Sequence, residues 1–158
     1  MSTITLEKLT LQHSTRLAEI IGSDRVLHMQ LSPSQPMRPE EPEAYYAYCS
    51  QWAAKRHAIC YAILLDNIPI GSISLCDIDA DHKSARVGYW IESCQWGKGY
   101  ATQAFALVIG QAQMLGVEVL TCSILKDNAA SIALWKRQGA TLTERDDRVI
   151  PTLRIGNL

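Results

Sequence analysis

The sequence predicts an α+β fold: a mostly antiparallel mixed sheet of about seven strands, with helices on both faces. Three observations carry this. The pattern order along the chain is strand, two helices, three strands, helix, strand, helix and two strands. The three central strand patterns are joined by short turns, which makes an antiparallel meander. The third of them is joined to the next strand pattern by a helix-length crossover, which makes those two strands parallel neighbours.

Taken in order, Ile4 to Leu9 alternates as a first strand, and Leu11 to Gly22 follows as an amphipathic helix with Leu17, Ile20 and Ile21 inward. Val26 to Leu31 is apolar and fits either helix or strand. Ser32 to Pro39 carries three prolines and reads as an irregular loop. A second helix spans about Pro42 to Arg56, with Glu40, Glu41 and Glu43 at its positive N-terminal end. Tyr45, Tyr48 and Trp52 recur at helical spacing and read as its core stripe; Tyr46 lies off that stripe and is the one placed to meet a ligand.

Ala58 to Leu65 is a nearly continuous apolar run, as in a central strand. Asp66 to Pro69 turns it into Ile70 to Asp77, and Asp79 to Lys83 turns that into the strand from Arg86 to Glu92. There Ala85, Val87, Tyr89 and Ile91 share one face, and Gly88 interrupts the run as at a bulge or a close backbone approach. The helix after this strand keeps Ala101, Ala104, Phe105, Val108, Ile109, Ala112 and Leu115 on one face and stops at Gly116. Val117 to Leu125 is a further buried strand. Asn128 caps a last helix, Ala129 to Gln138, with Lys136 and Arg137 in its final turn, and Thr141–Arg145 and Val149–Arg154 close the chain as strands.

Composition narrows the function classes. The 158 residues, 47% of them hydrophobic, suit one domain spanning the chain. A net charge of −1 lacks the basic excess of a nucleic-acid binder. No apolar run approaches the ~20 residues of a membrane span, and the N-terminus lacks a basic-then-apolar leader, so a cytoplasmic protein is expected. Five scattered cysteines without a Cys-x-x-Cys pair read as reduced core residues, and with dispersed histidines no metal is expected. Asp77, Asp79 and Asp81 lack the glycine and the distant glutamate of a calcium loop, and read as a solvated turn. Exposed strand edges leave a homodimer open.

Chemistry concentrates between Arg86 and Thr102. A strand, then Gly97 and Gly99, then a helix start at Ala101 together make an anion cradle, because the first N–H groups of a helix lack internal partners. Gly97-Lys98-Gly99 is not followed by the Ser or Thr of a nucleoside-triphosphate loop, and a dinucleotide fingerprint would need a glycine at Thr102.

Trp96-Gly97-Lys98-Gly99-Tyr100-Ala101 resembles the acyl-CoA pyrophosphate loop of the GNAT superfamily of N-acetyltransferases, with Gly99 and Ala101 at its small positions and Trp96 replacing the usual Arg or Gln. Lys126 to Ala140 resembles the family's last-helix motif, in which an Asn begins the helix and Ser follows three residues on. Ile70-Gly71-Ser72-Ile73 and Gly88-Tyr89-Trp90-Ile91 are similar to the branch of ribosomal-protein N-terminal and spermidine acetyltransferases. The resemblance implies that the two parallel strands splay and admit the pantetheine arm of acetyl-CoA as co-substrate. It implies cofactor contacts from Trp90, Ile91, the loop Trp96–Thr102 (with Lys98, Tyr100 and Thr102), Asn128 and Trp135. It also implies transfer of an acetyl group to a primary amine, on a protein N-terminus or on a small molecule such as a polyamine.

Acetyl transfer needs a proton taken from the amine and one given to the departing thiolate. Glu92, at the end of the strand, is the candidate base, or else a surface carboxylate. Many relatives carry Tyr where this chain has Trp135, whose indole cannot give up its proton near neutrality. Ser131, one turn earlier, could position a water instead. The acids Glu40, Glu41 and Glu43 and Asp77, Asp79 and Asp81 would flank the acceptor side. A non-catalytic acyl-CoA-binding module, with the loop kept and the acid lost, is the alternative that Trp135 raises.

Overall fold

A computed structural model describes residues 2–37 and 40–156. Eight strands form one sheet in the order β1-β2-β3-β4-β5-β8-β6, with β7 on the other edge of β8. The strands are β1 (Ile4–Lys8), β2 (Ile59–Leu65), β3 (Ile68–Asp79), β4 (Ser84–Ile91), β5 (Val119–Thr121), β6 (Ile124–Leu125), β7 (Thr141–Arg145) and β8 (Arg148–Arg154). The helices are α1 (Leu11–Ser23), α2 (Arg25–Leu31), α3 (Pro42–Lys55), α4 (Tyr100–Met114) and α5 (Ala129–Arg137). The expected meander β2-β3-β4 is antiparallel, and β4 pairs β5 in parallel through the α4 crossover.

Alternation along β2 shows how the sheet divides two cores. Tyr61 and Ile63 enter the larger one, with Phe105 and Val108 of α4 and Leu134 and Trp135 of α5. Ala62 and Leu64 enter the smaller one, with Leu17 and Ile20 of α1, Leu27 of α2 and Tyr45 of α3. Period two on the strand and period 3.6 on the helices thus place α1–α3 on one face and α4–α5 on the other.

Several sequence expectations are corrected. The eighth strand arises because Val117 to Leu125 is broken into β5 and β6. Both lie on β8, but Cys122 and Ser123 face the stretch containing Pro151, which has no N–H for the ladder. The Thr121 hydroxyl donates to the Pro151 carbonyl at 2.7 Å there instead. The ambiguous segment Val26 to Leu31 is helical, because Asp24 caps it by accepting from the Leu27 N–H at 3.1 Å. The turn placed over Asp66 to Pro69 is only Asp66-Asn67, both at positive φ as a two-residue hairpin requires, and Ile68 and Pro69 already belong to β3. Gly88 lies in an unbroken ladder opposite Ser74 rather than at a bulge. Leu115 ends α4 exposed, outside its buried face. In the proline-rich loop, Arg38 and Pro39 lie outside the described residues.

Candidate active site

Parallel pairing of β4 with β5 covers only Ser84–Arg86. Beyond it the strands part. Lys83 offers its carbonyl to the N–H groups of Glu118 and Val119, whereas Glu92 donates its N–H to Ile70 of β3. Backbone direction alternates along a strand, so the main-chain groups of Val87, Tyr89 and Ile91 face the gap. The N-terminus of α4 stands at the end of that open edge. Gln103 donates the first intrahelical bond, to the Gly99 carbonyl at 3.2 Å, and no side chain caps the helix. The N–H groups of Tyr100, Ala101 and Thr102 are therefore the orphans of the helix start.

Gly97 and Gly99 have φ of +77° and +82°, a conformation that side chains disfavour. A Cβ added at either would meet nothing within 4 Å, so the loop surface is open to a ligand. Trp96 does not cap this cradle. Its indole N–H donates to the Ile91 carbonyl at 2.7 Å, tying the loop to the end of β4 and occupying one of the gap-facing carbonyls. Lys98 reaches Gln95 at 3.3 Å, and Thr102 accepts from Arg137 of α5 at 3.3 Å. Arg137 thus brings a guanidinium to the α4 N-terminus. The sequence pattern marked it only as a helix-ending cation.

At the α5 N-terminus, the Asn128 side-chain oxygen accepts from the Ser131 N–H at 3.2 Å, leaving its amide N–H groups to donate elsewhere. Trp135 is 1% exposed and packs edge-on against Phe105, with ring centroids 4.8 Å apart. That is a core position, and the indole is not spread along the cleft. Across from it, β4 supplies a hydroxyl that the sequence reading missed. Burial pushes the Tyr89 phenol above its ordinary value, while the nearby Ser131 side chain pulls the other way. Tyr89 faces the larger core, on the same side of the sheet as α5. The signal was present in the alternation of β4, which puts Tyr89 on the α5 face, but nothing in sequence spacing joins it to Ser131.

Glu92 follows β4 directly, with its side chain largely buried. Arg16 of α1 donates to both of its carboxylate oxygens, at 3.1 and 3.0 Å, and the Cys94 thiol donates to one at 2.7 Å. Beside it, Asp24 accepts from the Ser93 N–H and hydroxyl, both at 2.7 Å. The junction of α1 and α2 is thereby fastened to the strand end. Burial tends to raise the Asp24 carboxyl, but the Ser93 donors and the Leu27 and Val26 N–H groups together hold it below its ordinary value.

The other face of β4 opens into a cavity of about 440 Å³ beneath α3. Its floor includes small residues, Cys60 of β2, Ser72 and Ser74 of β3 and Gly88 of β4, whose side chains leave the space between helix and sheet unfilled. Its roof is the stripe of Tyr45, Tyr48 and Trp52. That corrects their reading as plain core: Tyr45 is buried, but Tyr48 is 68% exposed at the rim. Tyr46, the expected ligand-facing residue, instead lines a smaller recess toward Leu9 and Ala58. The expected acidic flank divides as well. Glu40 lines the cavity, whereas Asp77 is held by Arg56 at 2.9 and 2.7 Å and Asp79 caps its own turn through Asp81 and His82. No cluster that could hold a metal ion occurs among the described residues, and no helix there is long and apolar enough to cross a membrane.

A family model described as an acetyltransferase (GNAT) domain matches residues 3–141. No curated protein matches the chain by sequence. Among solved structures, the fold is similar to RimL, the ribosomal L7/L12 alpha-N-protein acetyltransferase in complex with coenzyme A (18% identity, 96% of this chain and 94% of that one, TM-score 0.78). It is also similar to Mycobacterium smegmatis RimJ in complex with CoA-disulfide (20% identity, 96% and 81%, TM-score 0.78). A third similar fold is the microcin C7 self-immunity acetyltransferase MccE in complex with acetyl-CoA and AMP (23% identity, 96% and 92%, TM-score 0.79). At these identities the likeness is one of fold.

Proposed function

The chain belongs to the GNAT family of acetyltransferases, and from that premise we propose that it transfers an acetyl group from acetyl-CoA to a primary amine by direct attack, with both substrates bound at once. The observation that carries this reading is the alignment of two sets of main-chain groups left free of sheet and helix bonds. The gap-facing edge of β4 beyond Arg86 leads to the orphan N–H groups of Tyr100, Ala101 and Thr102. An extended amide-bearing arm suits the first, and a pyrophosphate suits the second.

In this reading the loop Trp96–Thr102 holds the pyrophosphate by main-chain N–H groups, with Lys98 and Arg137 as neighbouring cations. Val87, Tyr89 and Ile91 offer the strand edge beside Trp90, and Asn128 donates from its side-chain amide. Trp135 supports the site by filling the core behind it. Acetyl-CoA supplies an acyl group activated as a thioester: the N–C bond forms as the C–S bond breaks, the nitrogen gives up one proton and the thiolate takes one. Glu92 receives the proton from the amine, directly or through water, with Arg16 fixing its orientation. Tyr89 and Ser131 form the donor pair for the thiolate. A raised phenol stays protonated at neutral pH, and it fills the role that Trp135 cannot.

The named complexes support a shared donor: RimL, named as an alpha-N-protein acetyltransferase, is in complex with coenzyme A, and MccE is in complex with acetyl-CoA and AMP. Release of CoA from acetyl-CoA in the presence of a primary-amine panel tests the proposal. Amine-dependent release that falls at least a hundredfold in Glu92→Gln is expected. Tight acetyl-CoA binding with no amine-dependent release would instead support a non-catalytic binding module.

A further inference from the structure

We propose that the cavity beneath α3 is the acceptor pocket, and that it takes a small primary amine with one positive charge on an aromatic or compact hydrocarbon body. The assignment rests on the acetyltransferase reading above and adds the substrate class to it. Four observations carry it. First, the cavity shares β4 with the cofactor gap. Gly88 and Trp90 form part of its wall, while the neighbouring residues of the same strand present their main chain to the gap. A molecule lying in the cavity is thus one strand's width from the thioester position.

Second, its volume of about 440 Å³ lies in the range of small-molecule sites. Third, its walls are aromatic. Trp90, Tyr45, Tyr48 and Trp52 surround a space large enough for a ring, and their faces favour both stacking and a nearby cation. The Arg56 guanidinium lies over the Trp52 ring, 5.7 Å from its centroid, and is itself paired with Asp77. Fourth, among the described wall residues Glu40 carries the one formal charge, and none of those described is Lys, Arg or His. Its negative field reaches the Tyr45 phenol, which burial first and then Cys49 and Glu40 push far up, so the phenol stays neutral. A cation is drawn in; an anion is repelled.

The same walls disfavour the two other acceptor classes. A polyamine would bring several charges into an apolar space that offers one carboxylate. A peptide would bring several backbone N–H and C=O groups to a wall whose hydroxyl partners are Ser72, Ser74 and the tyrosines, and most would be left unpaired.

The test compares kcat/KM for 2-phenylethylamine, spermidine and a peptide beginning with serine, at saturating acetyl-CoA. Thermal stabilisation by acetyl-CoA is measured on the same preparations. The expected result is at least a tenfold preference for 2-phenylethylamine. Glu40→Gln should raise its KM about fivefold or more without changing the acetyl-CoA stabilisation. Ser74→Leu, which fills the cavity floor, should abolish the preference; if it fails to fold, Tyr48→Ala at the exposed rim should reduce the preference at least threefold. Equal or better use of spermidine or the peptide, or no use of 2-phenylethylamine by protein that still binds acetyl-CoA, overturns the pocket assignment while leaving the acetyltransferase reading intact. Absence of acetyl-CoA binding overturns that reading itself.

Discussion

A single nitrogen of Arg16, Nη2, lies 3.1 and 3.0 Å from the two carboxylate oxygens of Glu92, joining α1 to the end of the strand that borders the cofactor gap. The carboxylate is the better buried partner, with 13% of its side chain exposed against 37% for Arg16. Losing the guanidinium therefore leaves a mostly buried charge unpaired. Arg16→Met should cost about 1–2 kcal/mol of stability in chemical denaturation, and should also lower kcat because Glu92 loses its fixed orientation. Glu92→Gln keeps the shape and removes the base. Its kcat should fall by about 10²-fold or more while its melting temperature moves less than that of Arg16→Met.

Tyr89→Phe isolates the proposed proton donor. A thiol of pKa about 8.5 leaves tolerably as an anion, so the loss in kcat should be about tenfold, with acetyl-CoA affinity unchanged. Ser131→Ala should show a smaller loss. Burial holds the phenol above its ordinary value of about 10. The wild-type kcat should therefore show no alkaline decline from this group below that pH, and a kcat in Tyr89→Phe equal to that of the wild type would contradict the assignment.

Asp24 governs acid stability at the α1–α2 junction. Its folded value is depressed despite partial burial, through the Ser93 donors and the N–H groups of Leu27 and Val26. Its contribution is therefore complete above the unfolded value of about 3.9 and is lost as pH falls through the folded value. Asp24→Asn should unfold less steeply with falling pH below about 4. At pH 7 it should be weaker by about 1 kcal/mol, the usual scale of a capping interaction. Urea titrations at pH 7 and pH 3 check both.

Gly71 tests the packing of β3 on β4. A Cβ there would strike the Trp90 carbonyl oxygen and lie 2.9 Å from the Ile91 Cα, and both are backbone atoms that cannot turn aside. Gly71→Ala should destabilise by about 3 kcal/mol, at the upper end of overpacking costs. It should also perturb the strand edge that borders the gap, so acetyl-CoA stabilisation should shrink with it.

The fold was legible wherever period and punctuation agree. The meander, the α4 crossover and the cap at Asn128 follow from local pattern, and the structure places them accordingly. What stayed hidden depends on pairs distant in sequence. Arg16 and Glu92 are 76 residues apart, and Asp24 and Ser93 are 69 apart. Neither pairing leaves a trace in spacing. The stripe Tyr45-Tyr48-Trp52 was seen, but its meaning depends on what lies opposite. Small residues on three different strands turn an apparent core face into the roof of a cavity. The break between β5 and β6 follows from Pro151, which only a known strand register makes relevant.

The most direct test of the account is thermal unfolding with acetyl-CoA, CoA, ATP and NAD in parallel. At about 100 times its dissociation constant, acetyl-CoA should add about 2.7 kcal/mol, which raises the midpoint of a chain this size by about 5–10 °C. CoA should act similarly, and ATP and NAD should not. No shift with millimolar acetyl-CoA, or an equal shift with ATP or NAD, would contradict a gap and loop built for an acyl-CoA.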